Sequence, residues 1–139
     1  FQENLESSEE SEEISGNHEN VKEDGFYLNE SISREGDTLA FSLDTNIPES
    51  IGIWISVYDK TNDLYVEKEL KIEDGLAKAE LNLQGFSEDS ILTIDAPEAK
   101  IQSKEVKEKL GYNYDFLDDK YIYENSQGVR LINYKVSLN

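Results

Sequence analysis

Two stretches of this chain carry acids at spacings that suit a hard cation: Asp59, Asn62 and Asp63, and later Asp115, Asp118 and Asp119. Calcium takes several oxygen ligands, and closely spaced acids in a loop can supply them. Neither stretch follows the EF-hand pattern of Asp-x-Asp-x-Asp-Gly with a Glu six residues after the Gly. Asp and Asn also favour turns for a local reason, because their side chains hydrogen-bond the backbone two residues on. Turn chemistry and a calcium site are therefore both open readings of the two stretches. Glu88 and Asp89 mark a third acidic turn.

The second constellation is aromatic. Tyr112, Tyr114, Phe116, Tyr121 and Tyr123 fall within a dozen residues. Exposed tyrosines make good binding faces, since each ring offers apolar area and a polar tip at low entropic cost. The other outcome for the same five is a lid of rings closing one end of a core. The single Trp, Trp54, lies mid-strand in the most apolar segment, IGIWISVY, and is expected in the core.

Enzyme constellations are sparse. The one His is His18, in a stretch too polar to hold it within reach of a reacting group. There is no Cys, so thiol nucleophiles, disulfides and His/Cys zinc sites are excluded. No Gly-rich phosphate loop and no GxSxG elbow is present. Paired carboxylates of the glycosidase kind remain formally available, but 31 acids form many pairs by chance. The expectation is a non-enzymatic protein.

The 139 residues carry a net charge of −18. Residues 1–24 hold nine acids and one Lys, near −8, which leaves about −10 on residues 25–139. Both parts are acidic, so nucleic acid and anionic membrane surfaces would be repelled, while cations and basic proteins would be attracted. The first 24 residues have four large apolar side chains, Phe1, Leu5, Ile14 and Val21. That is too little to offset the entropy of ordering them, so a disordered acidic leash is expected over 1–24 and a single domain over 25–139. A polar, Ser/Glu-rich start at Phe1 in a chain without Met fits an exported protein trimmed after its signal. A lipoprotein cut just beyond its lipidated Cys is the specific form expected, and a domain boundary in a longer protein is the alternative.

From Gly25 onward, apolar residues recur with period two, the mark of half-buried strands. Leu39, Phe41 and Leu43 alternate with Thr38, Ala40 and Ser42. Ile51, Ile53, Ile55 and Val57 share one face, with Trp54 and Tyr58 on the other. Asp59 to Asp63 reads as a hairpin loop, and Asp74-Gly75 as a tight hairpin turn. Ala77, Ala79, Leu81 and Leu83 form one face of the next strand, and Leu92, Ile94 and Ala96 that of the strand before Pro97. SKEVKEKLG reads as a short helix near 103–110. Ser103 is its cap, Val106 and Leu110 its buried face and Gly111 its stop. The last strand turns Ile132, Tyr134, Val136 and Leu138 inward. Seven or eight short strands and one small helix predict an all-β, antiparallel two-sheet immunoglobulin-like sandwich, with a jelly roll or small barrel as second choice.

The order of elements adds a resemblance. An alternating strand (GDTLAFSLDT) leads to a central apolar strand, a hairpin and a strand ending in Ala-Pro (ILTIDAP). A Gln with a short Val-containing helix follows (IQSKEVKEKLG), then an aromatic Leu-Asp stretch (YDFLDDKYIY) and a terminal strand. This resembles small immunoglobulin-like sandwich modules of exported proteins and lipoproteins from Gram-positive bacteria, over about 25–139. Those modules often have Pro directly after the Gln, where this chain has Ser103. The resemblance implies a fold and an extracytoplasmic address, and it carries no catalytic residue.

The functional expectation is an interaction module anchored to the outer face of a cell membrane. Its partner would be an envelope or extracellular protein or peptide, with the tyrosine-rich stretch after Gly111 as the contact face. Two alternatives accompany it: a calcium-stabilised adhesion module, and an immunity-type lipoprotein that binds a cationic antimicrobial peptide.

Overall fold

The computed structural model describes residues 25–138. The acidic stretch expected to be a leash, 1–24, lies outside them. Among the described residues, eight strands form two antiparallel sheets. The smaller sheet contains β1 (Leu28–Glu35), β2 (Thr38–Thr45) and β5 (Leu76–Asn82), in the order β1-β2-β5. The larger contains β3 (Ile53–Asp59), β4 (Leu64–Leu70), β6 (Ser90–Ala96), β7 (Ile122–Glu124) and β8 (Arg130–Ser137), in the order β4-β3-β6-β8-β7. One helix, α1 (Lys104–Leu110), sits in the connection between β6 and β7.

Alternation builds both sheets. In β2, Leu39, Phe41 and Leu43 are buried while Thr38, Ala40 and Asp44 are exposed. Phe41 pairs with Ala79 and Leu43 with Ala77 on β5, so large side chains stand beside small ones and share the space above them. In the larger sheet Ile53, Ile55 and Val57 of β3 and Leu92 and Ile94 of β6 are fully buried. Buried side chains from both sheets join one hydrophobic cluster, to which α1 adds Val106 and Leu110. At roughly 1.5–3 kcal/mol for each large apolar side chain removed from water, this cluster is the main source of stability.

Edge strands carry the exceptions to alternation. On β1, Glu30 occupies a position in the row of Leu28 and Ile32; on β4, Lys68 occupies the row of Val66 and Leu70. Charged side chains on outer strands discourage pairing with another chain.

Turn and cap chemistry follow the sequence closely. Ser103 accepts a hydrogen bond from the Val106 amide at 3.3 Å and caps α1, and Gly111 closes it at φ 96°. Asp74 and Gly75 both have positive φ, 54° and 79°, as a type I′ turn requires. The strands flanking this turn belong to different sheets, however. Glu73 and Leu76 exchange two hydrogen bonds, and the chain then passes from β4 in one sheet to β5 in the other. The dipeptide fixes the reversal, while the burial pattern of the flanking residues decides which sheet each strand joins.

A candidate ligand face on the larger sheet

The first acidic stretch is consumed by the fold. Asp59 shares the inward row of Ile53, Ile55 and Val57 and is fully buried. Its Oδ1 accepts hydrogen bonds from the Ser87 hydroxyl at 2.6 Å and the Thr61 amide at 3.1 Å; Oδ2 accepts one from the Ser87 amide at 2.7 Å. Burial pushes this carboxyl up, but the donors of Ser87, Asn62 and Thr61 outweigh it and hold it below the usual Asp range. Asn62 Nδ2 donates to the Gly85 carbonyl at 2.9 Å, and the Thr61 hydroxyl to Asp89 at 2.6 Å. Asp63, at φ 53°, accepts a 3.4 Å contact from the Tyr58 hydroxyl. These residues staple the β3–β4 turn to the β5–β6 connection.

The second stretch is also engaged locally. Asp115 accepts from the Asn113 amide at 3.3 Å, and Asp118 caps the short 3-10 turn Asp119–Tyr121 through the Lys120 amide at 3.0 Å. Asp119 pairs with Arg130 at 3.0 Å, and Arg130 also reaches Glu124 at 3.4 Å and the Asn113 carbonyl at 3.2 Å. Hydrogen bonding to Asp119 raises Arg130 above its ordinary value. Among the described residues no three acids or His converge as a metal group would require. The six residues Asp59, Asn62, Asp63, Asp115, Asp118 and Asp119 serve turns, a cap and a salt bridge.

The five aromatics divide three ways. Tyr114 and Tyr121 are 0% exposed. The Tyr114 hydroxyl donates to the Pro97 carbonyl and accepts from Gln102 Nε2 at 3.1 Å, and burial pushes it up to about 12. Gln102 in turn clamps Gly52, accepting from its amide at 2.8 Å and donating to its carbonyl at 2.9 Å. Tyr121 accepts from the Leu28 amide at 3.2 Å and meets Tyr134 edge-on, with ring centres 5.0 Å apart. These two rings are core pieces that tie the β6–β7 connection to both sheets. Tyr112 and Phe116, 68% and 62% exposed, flank a shallow groove of about 360 Å³. Tyr123 belongs elsewhere: on β7 it pairs with Leu131 and so joins the outward face of the larger sheet.

The sequence sets Trp54 and Tyr58 on this outward face without marking it as a site. Trp54, expected in the core, is half-buried there. Cross-strand pairing sets the rows. One row reads Tyr65, Tyr58, Ile91; the next Glu67, Ser56, Thr93, Lys135; the next Glu69, Trp54, Asp95, Asn133. Trp54 and Leu131 border a groove of about 540 Å³, with Glu67, Asp95, Pro97 and Asn133 around it. Gly52 precedes Trp54 by two and shares its face. A Cβ at Gly52 would lie 3.4 Å from the six-membered ring of Trp54 and 3.4 Å from Gln102 Oε1, an ordinary contact distance, so the indole leans along the strand over Gly52.

The two acids of the groove are placed unlike Asp59. Asp95 is half-buried and receives one long contact, 3.4 Å, from the Ser56 hydroxyl. Burial, then the charge of Glu67, raise its carboxyl above the usual range against the smaller pull of Ser56 and Lys135. Glu67 accepts from the Tyr65 hydroxyl at 3.1 Å. Burial also raises that Tyr65 hydroxyl, with Glu67 and Asp95 adding to the effect against the hydrogen bond of Ser56. Lys135, the base on this face, hydrogen-bonds Asn133 at 2.7 Å. The result is an aromatic wall beside two acids that line one groove from either side of β3, an arrangement suited to a cation.

Comparison with known protein families, with curated proteins and with solved structures returns no match.

Proposed function

We propose that this chain is a non-enzymatic, extracytoplasmic binding module whose partner is a cationic envelope or extracellular peptide or protein, and that the outward face of the larger sheet is its contact surface. The observation that carries this reading is the groove where Trp54 stands beside Glu67 and Asp95. Tyr58, Tyr65 and Tyr123 extend it with exposed rings. The charge of the chain, −18, favours encounter with a basic partner over long range.

The fold in this reading is an immunoglobulin-like sandwich. Lettered in chain order, with β8 as the seventh strand, the sheets run A-B-E and D-C-F-G. That differs from the immunoglobulin constant arrangement, ABED against CFG, in the sheet that the fourth strand joins. β7 is then a short added edge. The Ser/Glu-rich composition of residues 1–24 supports a surface-tethered lipoprotein. No helix among the described residues is long and apolar enough to cross a membrane. Interception of a cationic antimicrobial peptide is the form of this function that the charge favours. A calcium-stabilised adhesion role draws no support from the way the acids are engaged.

The test is a titration with a basic amphipathic peptide at low and at high ionic strength. Affinity that falls steeply with salt supports the reading; absence of binding, or affinity unchanged by salt, overturns it.

A further inference from the structure

We propose that the groove between Trp54 and Leu131 is a receptor for one arginine side chain of the partner, its guanidinium lying against the indole and hydrogen-bonded by Glu67 and Asp95. This rests on the reading of the sheet face as a contact surface for a cationic partner, and it names the group recognised and the atoms that recognise it.

Three observations converge. First, the acids of the groove make no ion pair among the described residues, and the charge of Lys135 lowers the Asp95 carboxyl less than burial and Glu67 raise it. Among the described residues the ion pairs of Glu69, Glu98, Glu105 and Glu108 go to lysines, and those of Asp119 and Glu124 to Arg130. None involves Glu67 or Asp95, and Lys135 of the same face bonds Asn133 instead. Second, the groove is lined by two acids, one of them half-buried. Burial and Glu67 both disfavour the ionised form of Asp95, and the charge of a bound cation would offset them. Third, the wall is aromatic. Arginine matches such a site better than lysine, because its flat guanidinium stacks on an indole face while its edge donates to carboxylates. The groove, at about 540 Å³, leaves space along Leu131 and Pro97 for the residues flanking that arginine.

Trp54 is the single Trp of the chain, so its emission reports the site directly. The experiment titrates the protein with octa-arginine, octa-lysine and octa-citrulline, reading Trp54 emission and, separately, the anisotropy of fluorescein-labelled peptide. It is repeated on Glu67→Gln and Asp95→Asn, with melting curves to verify folding, and with a neutral oligosaccharide in place of peptide. The expected result is a saturable emission change with octa-arginine, weaker with octa-lysine and absent with octa-citrulline. Each substitution should weaken binding by about tenfold or more. Salt-sensitive anisotropy without an emission change, and with both variants binding as well as the parent, overturns the arginine site while leaving the cationic partner standing. No anisotropy change with either basic peptide at low salt overturns both. An emission change with the oligosaccharide and none with octa-arginine overturns the arginine site in favour of a sugar-stacking role for Trp54.

Discussion

Asp59 and Asp95 lie on the same ladder between β3 and β6, toward its opposite ends, and meet opposite fates. Asp59 pairs across to Ser90, and Asp95 to Trp54. Asp59 is buried completely, yet its carboxyl is held low because Ser87 and Thr61 direct donors at both oxygens. Asp95 is buried only in part, yet its carboxyl is raised, first by that burial and then by the charge of Glu67, because one long hydroxyl contact from Ser56 and the charge of Lys135 compensate too little. Burial alone therefore says little about whether an acid is satisfied within the chain. What separates the two acids is whether the fold supplies the donors. Asp59 is answered by its own chain; Asp95 is placed as if the answer comes from outside.

The largest effect should come from breaking the answered acid. Asp59→Ala leaves the Ser87 amide and hydroxyl without their acceptor and unstaples the β3–β4 turn from the β5–β6 connection. Chemical denaturation should show a greater loss of stability than for Tyr114→Phe, Asp95→Asn, Tyr112→Ala or Phe116→Ala, with peptide affinity per folded molecule retained. The pH dependence has a definite sign. The folded-state pKa of Asp59 is lowered, so its contribution is present above the unfolded-state value and is lost as pH falls through the folded-state value. Asp59→Asn should flatten that acid limb of the stability profile.

Tyr114→Phe comes next. It removes the hydroxyl that donates to Pro97 and accepts from Gln102, leaving buried polar groups unpartnered. The expected cost is about 1–3 kcal/mol in urea unfolding, with little change in binding.

Asp95→Asn should act in the other direction. Its folded-state pKa is raised, so ionisation costs stability as pH rises from the unfolded-state value through the folded-state one. Removing the charge should raise the melting temperature slightly at neutral pH while weakening octa-arginine binding. A stability gain coupled to a binding loss marks a site that strains the fold for the sake of its ligand. A stability loss with unchanged binding would erase the contrast between the two acids.

The smallest effect belongs to the second aromatic groove. Tyr112→Ala and Phe116→Ala remove exposed rings, and each should move stability by no more than about 0.5 kcal/mol. Peptide affinity should stay within experimental error by anisotropy. A marked loss there would return the contact face to the segment after Gly111.

Much of this fold is legible in the sequence, and the reason is local. Ser103 and Gly111 announce both ends of α1, and alternation from Leu39 to Leu43 or Ala77 to Leu83 names the buried face. Even the burial of Asp59 has a sequence signal, since it continues the row Ile53, Ile55, Val57. Read as the first residue of a loop, it looks like a metal ligand; read as the last of an inward row, it is an acid that must find donors. The groove is different. Trp54, Glu67, Asp95 and Leu131 come from four strands, and their meeting depends on the register Trp54 to Asp95, Ser56 to Glu67 and Asp95 to Asn133. Register between strands far apart in sequence is a tertiary outcome, and a slip of one residue would send every one of these side chains to the other face. The tyrosines after Gly111 show the converse, because clustering in sequence said nothing of which rings the core would take.

The most direct measurement is an amide and indole 1H-15N correlation spectrum of the full chain, recorded during titration with octa-arginine at low salt. The single Trp gives a single indole resonance, which reports the groove by itself. This resonance should move together with the amides of Trp54, Glu67, Asp95 and Leu131 to Asn133, while Tyr112 to Phe116 and Asp59 to Asp63 stay in place. Shifts centred on Tyr112 to Phe116, or a spectrum unmoved at saturating peptide, would contradict an arginine receptor at Trp54.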